Sequence, residues 1–135
     1  MTIVVANPSE VTLLQQALGF SVPGNQILKL YVNDLTPGDA DVAGSFTEMS
    51  SLGYAAKTLT KGSWSVASSG GVGTASYAQQ TWTFSAGAAV TVYGYYVVDT
   101  TTGLLLWSER FGTPKVCQNA GDSIVITPIF TLSKV

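Results

Sequence analysis

The chain predicts a mainly β fold: a single-domain antiparallel β-sandwich or jelly roll preceded by a short N-terminal helix. Three observations carry that expectation. Apolar residues recur with period two from about residue 26 to residue 133. Clusters of Gly, Pro, Asp, Ser and Thr punctuate those runs, and one segment ahead of them has helical spacing instead. No stretch reads as a linker, so residues 1–135 are expected to form one domain, long enough to bury about 68% of its unfolded surface.

The helix is expected over residues 8–18. Asn7-Pro8-Ser9-Glu10 supplies a capping side chain, a proline suited to the first turn and a glutamate three residues after the cap. Val11, Leu14 and Leu18 then share a face, and Gly19 stops the helix. That face should lie across a sheet or under a neighbouring subunit. The first clear strand covers residues 26–32, with Leu28, Leu30 and Val32 on one side. Weaker strands are expected at 53–60 and 62–67, a tight turn at 36–39 and a loop tip at 68–73.

Within 76–84, Ala78, Trp82 and Phe84 face one way and Tyr77, Gln79, Thr81 and Thr83 the other. The turn Asp99-Thr100-Thr101-Thr102-Gly103 joins 90–98 to 104–111 as a hairpin. The last run points Ile124, Ile126, Pro128, Phe130 and Leu132 inward and Val125, Thr127, Ile129 and Thr131 outward. Pro128 cannot donate to a ladder, which predicts an edge strand or a bulge.

The hairpin looks apolar on both faces. Val90, Val92, Gly94, Tyr96 and Val98 alternate with Thr91, Tyr93, Tyr95 and Val97; the partner run offers Leu104 and Leu106 against Leu105, Trp107 and Phe111. Antiparallel sheets ordinarily keep one wet face. Either the helix or a long loop shelters this hairpin, or its outer face meets another chain. Tyr and Trp suit such contacts because they bury much area while keeping a polar tip.

Composition narrows the function. Only 10% of residues are charged, against roughly 25% in an ordinary domain, and mean hydropathy is +0.31. A surface so poor in ions solvates weakly and suits packing against other chains. A net charge of −2, with Lys29, Lys57, Lys61, Arg110, Lys115 and Lys134 scattered, argues against nucleic acid and against anionic membranes as partners. The start lacks a basic signal region, and residues 86–98 are too short and too polar to span a bilayer as a helix, so a soluble product is expected.

The chain has no histidine and one cysteine, Cys117. That excludes Ser-His-Asp and Cys-His nucleophile systems, histidine-bearing or multi-cysteine metal sites and any intrachain disulfide. Gly70-Gly71-Val72-Gly73 lacks the Gly-Lys-Ser/Thr of a phosphate loop. Three chemical readings remain. Glu48 with Asp34, Asp39 or Asp41 could supply a glycosidase pair; residues 33–41 concentrate oxygens that a calcium ion would accept; and Trp64, Trp107, Tyr93 and Tyr95 could stack on sugars. Each has a plain structural counterpart in capping, Asx turns, ion pairing or core packing, with Glu109, beside Arg110 near a strand end, expected in a solvated or cross-strand ion pair. No enzyme activity and no cofactor are expected.

Four runs resemble small virion structural proteins of tailed bacteriophages. They are Leu30-Tyr31-Val32-Asn33-Asp34-Leu35-Thr36-Pro37, Phe46-Thr47-Glu48 followed by Gly53-Tyr54-Ala55, Tyr93-Gly94-Tyr95-Tyr96-Val97-Val98-Asp99 and Leu105-Leu106-Trp107-Ser108-Glu109-Arg110-Phe111. Among these the head decoration, or cement, type is most similar. The resemblance implies a β-sandwich or jelly roll on the capsid exterior of the virion, made in the host cytoplasm. Its partners would be itself, as a homotrimer, and the major capsid protein. A receptor-binding or carbohydrate-binding knob of a tail or fibre is the alternative. From the apolar faces, Tyr93, Tyr95, Trp107 and Phe111 are expected to form the oligomer interface. Ile3, Val4 and Val5, with Asn33, Asp34 and Asp39, are expected to contact the capsid.

Overall fold

A computed structural model describes residues 3–19 and 22–133. In chain order the elements are β1 (Ile3–Val4), α1 (Asn7–Ala17), β2 (Gln26–Tyr31), β3 (Lys57–Leu59), β4 (Ser65–Ser69), β5 (Val72–Ser76), β6 (Gln80–Thr83), β7 (Val90–Asp99), β8 (Leu105–Cys117), β9 (Ser123–Ile126) and β10 (Ile129–Ser133). The protein is mainly β, with one short helix near its start and three antiparallel sheets.

The central sheet runs β1-β8-β7-β2-β3. Its longest pairing, β7 with β8, is closed by the expected turn. Asp99 Oδ1 accepts from the backbone N–H groups of Thr101 at 2.7 Å and Thr102 at 2.9 Å, while Gly103 takes the left-handed φ of 70° that the return requires. β8 then continues to Cys117, six residues past the predicted end at 111. The reason is a break in register: Val92 faces Lys115, yet Gly94 faces Arg110. Phe111, Gly112, Thr113 and Pro114 therefore oppose Tyr93 alone. Pro114, with no N–H to offer, sits where the ladder is already broken.

That bulge also overturns the simple alternation expected for the hairpin. Val90 and Val92 pack into the same core as Tyr95 and Val97, whereas Tyr93, Tyr96 and Val98 pack on the opposite face. A second bulge between Trp107 and Leu105 turns Leu106 and Trp107 to one side together.

β10-β5-β4 and β6-β9 form the facing layer. β5 and β6 are interrupted at residues 77–79, β9 and β10 at Thr127-Pro128, and the Pro128 carbonyl accepts from the Tyr77 N–H across the break at 2.9 Å. The expected single strand over the last run is thus two strands split at the proline. Inward pointing holds for Ile124, Ile126 and Pro128, with Phe130 half-buried, while Leu132 is 69% exposed. The expected loop tip at 68–73 narrows to Gly70-Gly71, since residues 68, 69, 72 and 73 pair within the β4–β5 hairpin.

Two cores lie on either side of the central sheet. Leu28, Leu30, Trp82, Tyr95, Val97 and Trp107 belong to the larger, between the layers. On the other side Tyr31, Tyr96, Val98 and Leu105 are covered by Ala6, Leu35, Ala43 and Phe46, with the Phe46 ring stacked on Tyr96 at 4.8 Å. The chain's own N-terminal segment and long loop thereby cover the second face of the hairpin.

Of the two placements expected for the apolar face of α1, the one across a sheet does not hold. Ser9 is fully buried and Thr12 is 8% exposed, whereas Val11, Leu14 and Leu18 are 59%, 63% and 71% exposed. The small hydroxyl face lets the helix lie close to β8, and Asn7 is held by its N–H bond to the Asp39 carbonyl at 3.0 Å. The N-cap position is Ala6, with no side-chain cap, rather than Asn7.

Candidate interaction surface

Strand β8 has a partner on one side throughout its regular part, but on the other side β1 covers only Ser108 and Glu109. β9 and β10 likewise each end a sheet. Between these edges runs an open cleft in two contiguous parts. One part, of about 610 Å³, lies between residues 109–115 and 123–127. The other, of about 630 Å³, lies between Ile3 and Val5 on one wall and residues 129–132 on the other. Tyr95, Glu109 and Thr127 line both.

At that junction the Tyr95 hydroxyl donates to Glu109 Oε2 at 2.5 Å. Burial raises the Tyr95 pKa, and the hydrogen bond to the Glu109 carboxylate and its charge add to the rise. The phenol keeps its proton and serves as donor. Glu109 is half-buried and has no cationic partner among the described residues. The ion pair expected for Glu109 is therefore corrected: its neighbour Arg110 binds Asp34 Oδ1 at 2.6 Å and the Leu35 carbonyl at 2.8 Å instead.

The expected oligomer interface does not assemble as one surface. Tyr95 and Trp107 are 4% and 6% exposed inside the larger core, Tyr93 packs on the opposite face beside the Arg110 guanidinium, and Phe111 lines the cleft. The bulge separates them, which periodicity alone could not show. The sugar platform fails for the same reason. Trp64 is spent on Trp107 and Tyr77, at ring distances of 6.1 and 5.2 Å, and its Nε1 donates to Gln26 Oε1 at 3.0 Å.

Of the expected capsid contacts, Ile3 and Val5 are half-buried along the cleft and Val4 pairs with Ser108. Asn33, Asp34 and Asp39 lie in the long loop, where each has structural work. Asn33 bridges the Ser45 carbonyl and the Thr47 N–H, Asp34 holds Arg110, and the Asp39 carbonyl accepts from Asn7. Asp41 Oδ2 accepts from the Gly38 N–H at 2.8 Å while the Asp41 N–H donates to the Gly38 carbonyl at 3.1 Å, closing a turn over residues 38–41, two residues later than the predicted one. Among the described residues no three acidic or cysteine side chains gather as a metal cluster.

Glu48 is likewise engaged, with Lys29 Nζ at 2.9 Å and the Tyr54 hydroxyl at 3.1 Å. Cys117 is buried, and burial followed by the charge of Asp122 pushes its thiol pKa up, so it stays protonated.

Among the described residues, exposed large apolar side chains form the stripe Val11–Leu14–Leu18 on α1 and the cleft rim at Val125, Ile129 and Leu132, which are 51%, 42% and 69% exposed; Val22, Val42, Val66, Val72 and Val116 are exposed elsewhere. The outward placement of Val125 and Ile129 was legible in the strand alternation, and that of the helix stripe was one of two alternatives its spacing left open. No protein-family model matches the chain, and no curated protein matches it.

Proposed function

We propose that the chain is a structural protein of a phage virion, a head decoration protein that self-associates and cements junctions between subunits on the outer shell. The observation that carries this reading is the inverted helix: α1 buries Ser9 and Thr12 and leaves Val11, Leu14 and Leu18 in solvent. Contiguous apolar groups at helical spacing mark protein contacts. In this reading the α1 stripes meet around the axis of a homotrimer and replace the Tyr95 and Trp107 contact, since those side chains lie in the core. Low charge supports it further, because few ions need desolvating on association. The virion setting rests on the resemblance of the four runs.

A cement protein gains strength by repetition, since symmetry multiplies a modest contact over the shell. Native mass measurement and co-sedimentation with purified empty shells test the proposal. The wild-type chain should run as a trimer and pellet with shells, while Leu14→Asp combined with Leu18→Asp should give a folded monomer. A monomeric wild-type chain that stays in the supernatant refutes it.

A further inference from the structure

The walls of the cleft are built from consecutive residues. Residues 123–127 line one part, 129–132 the other, and Phe111, Gly112 and Thr113 the facing wall. A sheet face would contribute every second residue, because side chains alternate. Consecutive lining means that backbone edges, not faces, border the space. β9 and β10 carry no strand on that side among the described residues. Along this edge β9 offers about 13 Å of extended chain and β10 about 17 Å, at about 3.3 Å per residue, parted by the break at Thr127-Pro128.

We propose that this cleft receives an extended segment of the shell protein, which adds a strand along the free edge of β9 and β10 and sets a lysine or arginine against Glu109. Charge names that side chain. Glu109 lies half-buried midway along the cleft, takes one neutral donor from Tyr95 and has no cation among the described residues, although Lys115 lines the same cleft. A carboxylate withdrawn from water in this way favours a basic partner. The exposed Val125, Ile129 and Leu132 along the rim would be covered by the apolar side chains of the guest. Main-chain hydrogen bonds would supply affinity and Glu109 the register.

The inference rests on the shell-binding reading above, and hydrogen exchange on the shell-bound protein separates the two. With purified empty shells as the probe, amides of residues 123–127 and 129–132 should exchange at least tenfold more slowly than in the free chain. Glu109→Gln, which keeps an acceptor for Tyr95 but removes the charge, should weaken co-sedimentation about tenfold. Binding with protection confined to α1, or equal binding by a folded Glu109→Gln, overturns the cleft proposal and leaves the decoration reading intact. Absence of binding by the wild-type chain overturns both. If Glu109→Gln does not fold, the exchange pattern of the wild-type chain decides alone.

Discussion

Gly94 is the position where the register break leaves least room, and replacing it tests the account of the bulge. A methyl group there would run into the Glu109 carbonyl oxygen and lie 2.7 Å from both Cε1 and Oη of Tyr31. Neither neighbour can yield cheaply. The carbonyl is backbone of the paired strand, and Tyr31 is fully buried, edge-on to Phe46 at 5.0 Å, with its hydroxyl donating to the Leu35 carbonyl at 3.2 Å. Overpacking costs about 1–3 kcal/mol, and a clash with backbone belongs at the upper end. Restricting the unfolded chain by removing a glycine offsets about 0.4–1 kcal/mol. Gly94→Ala should therefore destabilise the fold by about 2 kcal/mol, which for a chain of this size lowers the melting temperature by roughly 6–10 °C. The matched control is Gly62→Ala, where a methyl meets nothing within 4 Å and the change should stay within about 0.5 kcal/mol. Urea unfolding followed by tryptophan fluorescence reads both, with unchanged slopes. Equal midpoints for the two variants would refute the packing argument around Tyr31.

Trp107→Ala should cost about 3–5 kcal/mol, seen as a large drop in thermal midpoint, because Trp107 is core; a variant as stable as the wild-type chain contradicts that placement. Ser9→Ala should be neutral or stabilise by about 1 kcal/mol, since the fully buried Ser9 hydroxyl has no hydrogen-bond partner among the described residues. A loss of stability on calorimetry would mean that the hydroxyl is satisfied. Tyr31 and Tyr96 have their pKa values raised from 10.0 to about 12, chiefly by burial. Because the folded values exceed the unfolded ones, this stabilisation is complete below about pH 10 and is lost as pH rises through about 12. Ultraviolet phenolate absorbance should show these two rings ionising late, together with unfolding. Ionisation of every tyrosine near pH 10 in the folded chain would be the contrary result.

Much of the sheet architecture was legible because period two depends only on local geometry. Leu28 and Leu30, Trp82 and Phe84, Ile124 and Ile126 all bury as alternation requires. The turn after Asp99 was legible from its own side-chain chemistry. Alternation failed where the register shifts. Nothing in Tyr93-Gly94-Tyr95 announces that four residues of β8 will oppose Tyr93, although Gly112 and Pro114 are the signals that a ladder is interrupted there. The candidate surface was therefore half legible. Phe111, Ile3 and Val5 line the cleft, while Tyr95 lines it from a buried position in the core and Trp107 does not line it. Spacing identified the apolar helix face, but it could not say which way that face turns, because helix orientation is decided by what fits against β8.

Grease on both sides of the β7–β8 hairpin is thus explained within one molecule, by the two cores that sandwich it. Assembly can draw only on what those cores leave uncovered. Burying one Val or Leu is worth about 1.5–3 kcal/mol. A turn of α1 about its axis would place Val11, Leu14 and Leu18 against the sheet and Ser9 and Thr12 in water. The isolated chain forgoes that gain. The fixed start of α1 explains part of this, since Ala6 is buried and Asn7 is tied to Asp39, and the close approach to β8 favours small side chains underneath. The same constraints would be met by polar residues at positions 11, 14 and 18, which are mostly exposed, at little cost to the fold. Apolar residues at all three are accounted for when a second protein surface supplies the burial that the first does not.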